Sequence, residues 1–280
     1  MTCSQKIVSE DYDDFIIEYN GDIDRLLEFY GEDCITIVDN RIAIVYVPRV
    51  GGETVVTNIP YATLPRLYGI MDSSNMEEIE VNRIRSTPAI SLYGNGVIAA
   101  IIDTGIDYTN PLFINADGSS RILAIWDQSI ESNNVYAGVD YGTVYTKTMI
   151  NEALKSENPY DIVPSRDEEG HGTFMAGIVA GGIDIENDFY GVAPNADILV
   201  IKLKNAKNII RNFYKISEGV LAFQENDIIN GINYASMYAN SERKPVSMCI
   251  GLGSNSGGHT GLGFLDKFVE RIGGSKEKSI

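Results

Sequence analysis

Two hydrophobic periods divide the chain. Residues 14–18 (DFIIE) read as a strand. Asp22 opens a short helix with Ile23, Leu26, Leu27 and Tyr30 on one face, and Gly31 stops it. Residues 34–39 (CITIVD) and 42–47 (IAIVYV) run apolar on either side of Asp39-Asn40 and predict a hairpin. Together they make a small α+β unit ending near Val56, followed by a linker-like stretch with Pro60, Pro65, Ser73 and Ser74.

Near Gly94 the pattern changes. GNGVIAAIID is a turn followed by a nearly continuous apolar run, the signature of a strand buried on both faces. Further apolar segments are Ile122–Trp126, Ile198–Leu203 and Val246–Ile250. A helix starts at His171. Another spans about Asn226–Tyr238 with Ile228, Ile229 and Ile232 inward, and a third about Gly263–Ile272 with Leu265, Phe268, Val269 and Ile272 inward. Strands alternating with helices predict an α/β fold, a mostly parallel sheet covered by helices on both faces. The expected division is an α+β unit and linker over 1–85 and an α/β unit over 86–280.

The 280 residues are 44% hydrophobic and 22% charged, an ordinary globular composition. The net charge of −17 repels phosphate backbones and anionic lipid, which argues against nucleic acid or membrane as partners. Cys3, Cys34 and Cys249 are odd in number and form no C-x-x-C pair, so free thiols in a reducing compartment are expected. The acidic N-terminus has no apolar core of a secretory signal. The apolar run around Val97–Ile102 is far below the ~20 residues a membrane span needs. These features predict a cytoplasmic protein.

Two segments carry chemistry. In AAIIDTGID, Asp103 ends a buried strand, and functional groups collect at the carboxyl ends of strands in open α/β sheets. A carboxylate there can accept a histidine N–H and fix its tautomer, or it can simply cap the next turn. In EGHGTFMAG, His171 stands at a helix start between glycines, and the small residues Gly172, Ala176, Gly177 and Ala180 suit close packing on the sheet. Histidine is the side chain best suited to proton transfer near neutral pH, although an isolated one more often serves structure.

IIDTGID followed by GHGT, in that order, resembles the subtilisin-like serine proteases (peptidase S8). GVAPN at Gly191–Asn195 and VSMCIG at Val246–Gly251 resemble further segments of that family. PRLYGIMD and DTGIDYTNPLFINADGSSRILAIWDQSI resemble its clostridial branch, which includes germination proteases. The resemblance covers about Pro65 to Ile272 and puts the small N-terminal unit where the family carries a prodomain. It implies serine-type cleavage of a protein or peptide substrate, with Asp103 as the orienting aspartate and His171 as the general base. Cys249, Ile250 and Gly251 match the cleft-edge strand that pairs with an extended substrate. It implies no cofactor. Leu112 stands where many secreted relatives carry a calcium-binding aspartate, so calcium is not supported there.

The sequence departs from the family after Ile272. No strand with an oxyanion asparagine and no G-T-S segment follows; the chain reads GGSKEKSI. Loss of the nucleophile alone lowers kcat by about 10⁶ in such a triad. Ser254 and Ser256 lie in a glycine-rich loop with His259, and Ser275 and Ser279 in the tail. Phe174 replaces a usual histidine, which predicts a packing change. The long stretch 115–167 between the two motifs is expected to hold an inserted, exposed loop rich in Asn, Tyr and Ser, and a pro-region junction falls between Met71 and Ser91. Three functions remain open: a serine endopeptidase whose sequence is cut short here; a pseudoprotease that binds peptide or a partner protease; and an N-terminal unit that assists or inhibits a cognate protease.

Overall fold

The structure, a computed structural model, describes residues 1–31, 34–50, 53–54, 61–70, 92–131, 138–186, 189–254, 260–274 and 278–279. Helix α1 (Cys3–Val8) opens the chain with a capping box between Thr2 and Gln5. Strand β1 (Tyr12–Glu18), helix α2 (Ile23–Tyr30), β2 (Ile35–Ile37), β3 (Ile42–Val50) and β4 (Glu53–Thr54) follow. Asp22 caps α2 through the Arg25 N–H, and the Asp39 carboxylate closes the β2–β3 turn by accepting from Arg41 and Ile42 N–H at 2.7 Å. The strands form an antiparallel sheet in the order β1-β3-β2, with β4 on β3.

Both faces of this first sheet are covered. Along β3, Ala43, Val45 and Val47 meet Phe15 and Leu26 on the α2 side. Ile42, Ile44 and Tyr46 face the other way, into the principal core with Ile7 and Ile16. The expectation of free thiols is corrected here for two of three cysteines. Cys3 and Cys34 form a disulfide that ties α1 to the start of β2, and Cys249 is free. Nothing in their spacing of 31 residues signals the pair; the fold brings them together.

The rest of the chain runs β5 (Leu67–Ile70), β6 (Ile98–Asp103), β7 (Ile122–Asp127), β8 (Thr143–Thr146), α3 (Lys147–Ala153), α4 (His171–Ala180), β9 (Asp197–Lys202), α5 (Asn208–Phe213), β10 (Phe223–Gln224), α6 (Glu225–Glu242), β11 (Val246–Ile250), β12 (Leu252–Gly253), α7 (Phe264–Gly273) and β13 (Lys278–Ser279). The main sheet has the order β13-β11-β6-β9-β7-β8 and is parallel except for β8. Ile98, Ala100, Ile102, Leu199 and Ile201 face α6, α7 and the first sheet. Ala99, Ile101, Ile198 and Val200 face α3 and α4. This is why β6 reads as continuously apolar: all six of its residues are buried.

Residues 115–167 hold more regular structure than the exposed loop expected among them. Beyond β7, which the apolar run Ile122–Trp126 predicts, they supply the edge strand β8 and α3, and Ile150, Ala153 and Val163 are fully buried. Their Asn, Tyr and Ser content hid a four-residue strand with three buried positions and the Thr146 cap of α3. Residues 132–137, the stretch 71–91, and Ser256, His259 and Ser275 lie outside the described residues. Among the described residues, no helix is long and apolar enough to cross a membrane.

Between the first sheet and the rest lies a buried polar seam. Asp14 on β1 pairs with Lys207 and accepts from Gln224 Nε2 at 3.0 Å and Asn226 Nδ2 at 3.1 Å. Lys207 also donates to Tyr12 O. Asp14, Gln224 and Asn226 are fully buried, so each lone pair and proton needs the partner it has.

Candidate active site

β6 and β9 pair in register with Asp103 opposite Lys202, so both strands end at one level on the carboxyl edge of the parallel sheet. Ligands and reactive groups gather at that edge because loops and helix starts converge there. Helix α4 begins at the same edge. Its N-cap is Gly170 at φ 78°, a left-handed conformation that other residues adopt at a cost, and His171 is its first residue.

His171 Nδ1 lies 2.7 Å from Asp103 Oδ1. The same Oδ1 accepts from the Thr104 N–H at 2.7 Å. Asp103 is 1% exposed, and among the described residues no donor reaches its Oδ2. Burial pushes the Asp103 carboxyl above its ordinary value, and hydrogen bonds from His171 and Thr104 pull it part of the way back. The bond to Asp103 favours the ring tautomer that carries its proton on Nδ1, which makes Nε2 the basic nitrogen.

Two glycines make this approach possible. A Cβ on Gly172 would run into Gly105 O and N and lie 3.2 Å from Asp103 Cβ. A Cβ on Gly251 would lie 2.6 Å from Asp103 Oδ2 and 2.9 Å from His171 Cε1. Gly177, grouped with the small residues expected to need close packing, has nothing within 4 Å of such a Cβ.

The predicted cleft residues fall out unequally. Gly251 lies against Asp103 and His171. Cys249 and Ile250 close β11 opposite Ile101 and Ile102, and their side chains pack toward opposite cores. Burial, and then Asp103, push the Cys249 thiol up to about 11. An extended segment pairs one step further along: β5 lies between β10 and β12 in antiparallel register, Leu252 opposite Ile70 and Gly253 opposite Gly69. Arg66 N donates to the buried Glu225 carboxylate, which also accepts from Leu265 N–H, and so anchors the start of that segment. Phe174 does not pack as expected; it is 50% exposed on α4.

Sequence reading missed the support behind the pair. Asp167 accepts from Thr104 Oγ1 (2.7 Å), Gly170 N (3.0 Å), Thr173 N (2.8 Å) and Thr173 Oγ1 (2.6 Å). Lys202 donates to Arg166 O and to Glu168 Oε2. Within the run SRDEEG nothing distinguishes Asp167 from its exposed acidic neighbours except its position four residues before the histidine.

The residues at Leu112 do not fit a calcium ion. Leu112 O accepts from Arg121 Nη1, and that buried guanidinium also takes the carbonyls of Ala180 and Ala196. A cation of the protein's own occupies those oxygens. Among the described residues no group of three or more His, Cys, Asp or Glu side chains could hold a metal ion.

Known proteins are similar to this chain. The CspB protease of Clostridium perfringens is 32% identical with a TM-score of 0.57, over 71% of this chain and 38% of that one. The major intracellular serine protease of Bacillus subtilis is 29% identical over 63% of this chain and 41% of its own length. Serine protease AprX of the same organism is 30% identical over 59% of this chain and 27% of its own. The chain thus spans about two fifths or less of these relatives. The subtilase family (peptidase S8) matches residues 94–271, a stretch that holds both Asp103 and His171, and the chain belongs to that family.

Proposed function

We propose that Asp103 and His171 are the orienting carboxylate and general base of a serine endopeptidase acting on protein or peptide chains. The observation that carries this is the 2.7 Å contact between His171 Nδ1 and a buried Asp103 at the carboxyl edge of the sheet. In this reading His171 Nε2 takes the proton of a serine hydroxyl as that oxygen attacks the scissile carbonyl, then returns it to the leaving amine. Asp103 stays ionised and stabilises the imidazolium. The 280 residues hold no G-T-S segment, so the reading assigns the nucleophile and the oxyanion donor to sequence outside them.

The division into an N-terminal unit over 1–85 and a catalytic unit over 86–280 belongs to the same proposal, with the first unit as a prodomain. The pairing of β5 with β12, directly after Gly251, supports it, because the segment linking the two units then lies along the cleft. An intracellular setting is favoured by relatives named as intracellular proteases and opposed by the Cys3–Cys34 disulfide, which such compartments keep reduced.

The test is fluorophosphonate labelling and peptide hydrolysis by the product of the complete reading frame that carries these residues. Labelling and cleavage are expected, with kcat reduced by about 10⁶ in His171→Ala. Labelling that survives His171→Ala undiminished would refute the assignment. A second reading, a pseudoprotease that binds peptide or a partner protease, draws on the same β5–β12 pairing, since that edge holds an extended segment without any nucleophile. A folded complete product that binds extended peptides and neither labels nor cleaves would favour it.

A further inference from the structure

We propose that Asp167 is the positioning residue that sets Asp103 and His171 against each other. Its carboxylate is bonded to both arms of the pair. On the Asp103 arm it accepts from Thr104 Oγ1 at 2.7 Å, and the Thr104 N–H is the second donor to Asp103 Oδ1. On the His171 arm it accepts from the Gly170 N–H and from both the N–H and the hydroxyl of Thr173, which brackets His171 in the first turn of α4. Thr104 Oγ1 closes the loop by accepting from the Gly172 N–H at 2.9 Å.

Asp167 therefore holds the end of β6 and the start of α4 in one hydrogen-bonded ring. Two features fit it for that task. The carboxylate has four acceptor sites and all four are used, so its orientation is fixed. It stands at the positive end of a ten-residue helix, where a negative group is favoured. Burial alone would raise its carboxyl, but hydrogen bonds from Thr173, Thr104 and Gly170 outweigh burial and hold it below the ordinary value. Lys202 braces the segment on either side through Arg166 O and Glu168, while Asp107 N–H and Arg166, stacked 3.8 Å over the Tyr160 ring, bound the ring of contacts further out.

The inference rests on the reading of Asp103 and His171 as a working pair, but its test involves no turnover, so the two can fail separately. The chain has two histidines, which makes the imidazole NMR spectrum simple. In ¹⁵N-histidine-labelled protein the readouts are the downfield Nδ1–H proton of His171, its exchange with water, and the ring tautomer. In Asp167→Ala, exchange should quicken at least about tenfold, the ratio that loss of one charge-assisted hydrogen bond corresponds to. Thr104→Val, which cuts one arm and keeps the carboxylate, should reproduce part of the effect. If Asp167→Ala does not fold, the isosteric Asp167→Asn is read in its place.

The decisive arm is the Asp103→Asn background. There Asp167→Ala should leave the His171 ring signals where Asp103→Asn alone put them, because nothing remains to be aligned. A further change of the same size in that background would show that Asp167 acts on His171 by its own charge, and would overturn the proposal. So would a folded Asp167→Ala protein whose His171 proton, exchange rate and tautomer match the parent.

Discussion

Gly251→Ala perturbs the pair by a single methyl group whose surroundings are known. The added Cβ would lie 2.6 Å from Asp103 Oδ2, 2.9 Å from His171 Cε1 and 3.2 Å from Met175 Cγ, where ordinary contact begins near 3.4 Å. The carboxylate, the ring or the end of β11 must give by several tenths of an ångström. Asp103 cannot swing freely, because Oδ1 is held by Thr104 and His171. Overpacking of this kind costs about 1–3 kcal/mol. Replacing glycine by alanine returns about 0.4–1 kcal/mol through the unfolded chain. The net expectation is a loss of about 1–2 kcal/mol, or a Tm lower by about 2–8 °C for a chain of this size. Gly177→Ala, in the same neighbourhood but with open space around its Cβ, should instead gain about 0.5–1 kcal/mol as a helix-interior glycine replaced. Differential scanning calorimetry of the two variants, with the His171 Nδ1–H resonance alongside, reads both signs. A Gly251→Ala protein as stable as the parent, with that resonance unmoved, would refute the close approach on which the site is built.

Three further outcomes follow from the buried charges and thiols. Asp14→Ala leaves Lys207 buried without its carboxylate and should cost about 3–5 kcal/mol by urea unfolding; a loss below about 1 kcal/mol would mean water reaches the seam. Asp103 has its folded value raised by burial, so the folded state binds this proton more readily than the unfolded chain does. Its contribution is present below the unfolded value near 4 and is lost as pH rises through the folded one, so the stability of the parent relative to Asp103→Asn should fall across that acid window; a difference that grows with pH contradicts the raised value. Cys249, with its thiol pushed up to about 11, should alkylate at pH 8 about a hundredfold more slowly than an unperturbed thiol, and the unreduced, denatured chain should titrate one thiol. Three titrating thiols would remove the disulfide.

Elements whose hydrophobic period agrees with their burial were legible in the sequence. The run Ile98–Ile102 is apolar because both faces of β6 are covered, and Val246–Ile250 starts and stops where the sequence reading put it. The helix expected over Asn226–Tyr238 runs Glu225–Glu242, longer at its C-terminal end because Arg243 ends it in a left-handed turn that carries no glycine signal. Where few residues carry the pattern, it failed. Strand β8 and helices α1 and α5 have four to six residues each, too few to set a period, and their stability comes from tertiary contacts. The buried seam at Asp14 was invisible for a different reason. Asp, Lys, Gln and Asn read as surface residues one at a time, and their burial exists only once the first sheet meets β10 and α6.

The site motif was legible because its letters answer to close contacts that few other residues satisfy. In G-H-G-T, Gly170 takes the left-handed turn into α4, Gly172 lets that helix start touch the loop after β6, and Thr173 gives its N–H and hydroxyl to Asp167. In D-T-G, Asp103 meets the imidazole, Thr104 links it to Asp167, and Gly105 adopts φ 131° with Arg166 O beside it. Each motif is thus half of one interface, and besides their direct contacts the halves are both bonded to Asp167, a residue in neither. A pattern search finds the groups that do chemistry because they recur with their glycines. It passes over the carboxylate that aligns them, because the requirement on that residue is a set of donors brought from two separate places in the chain.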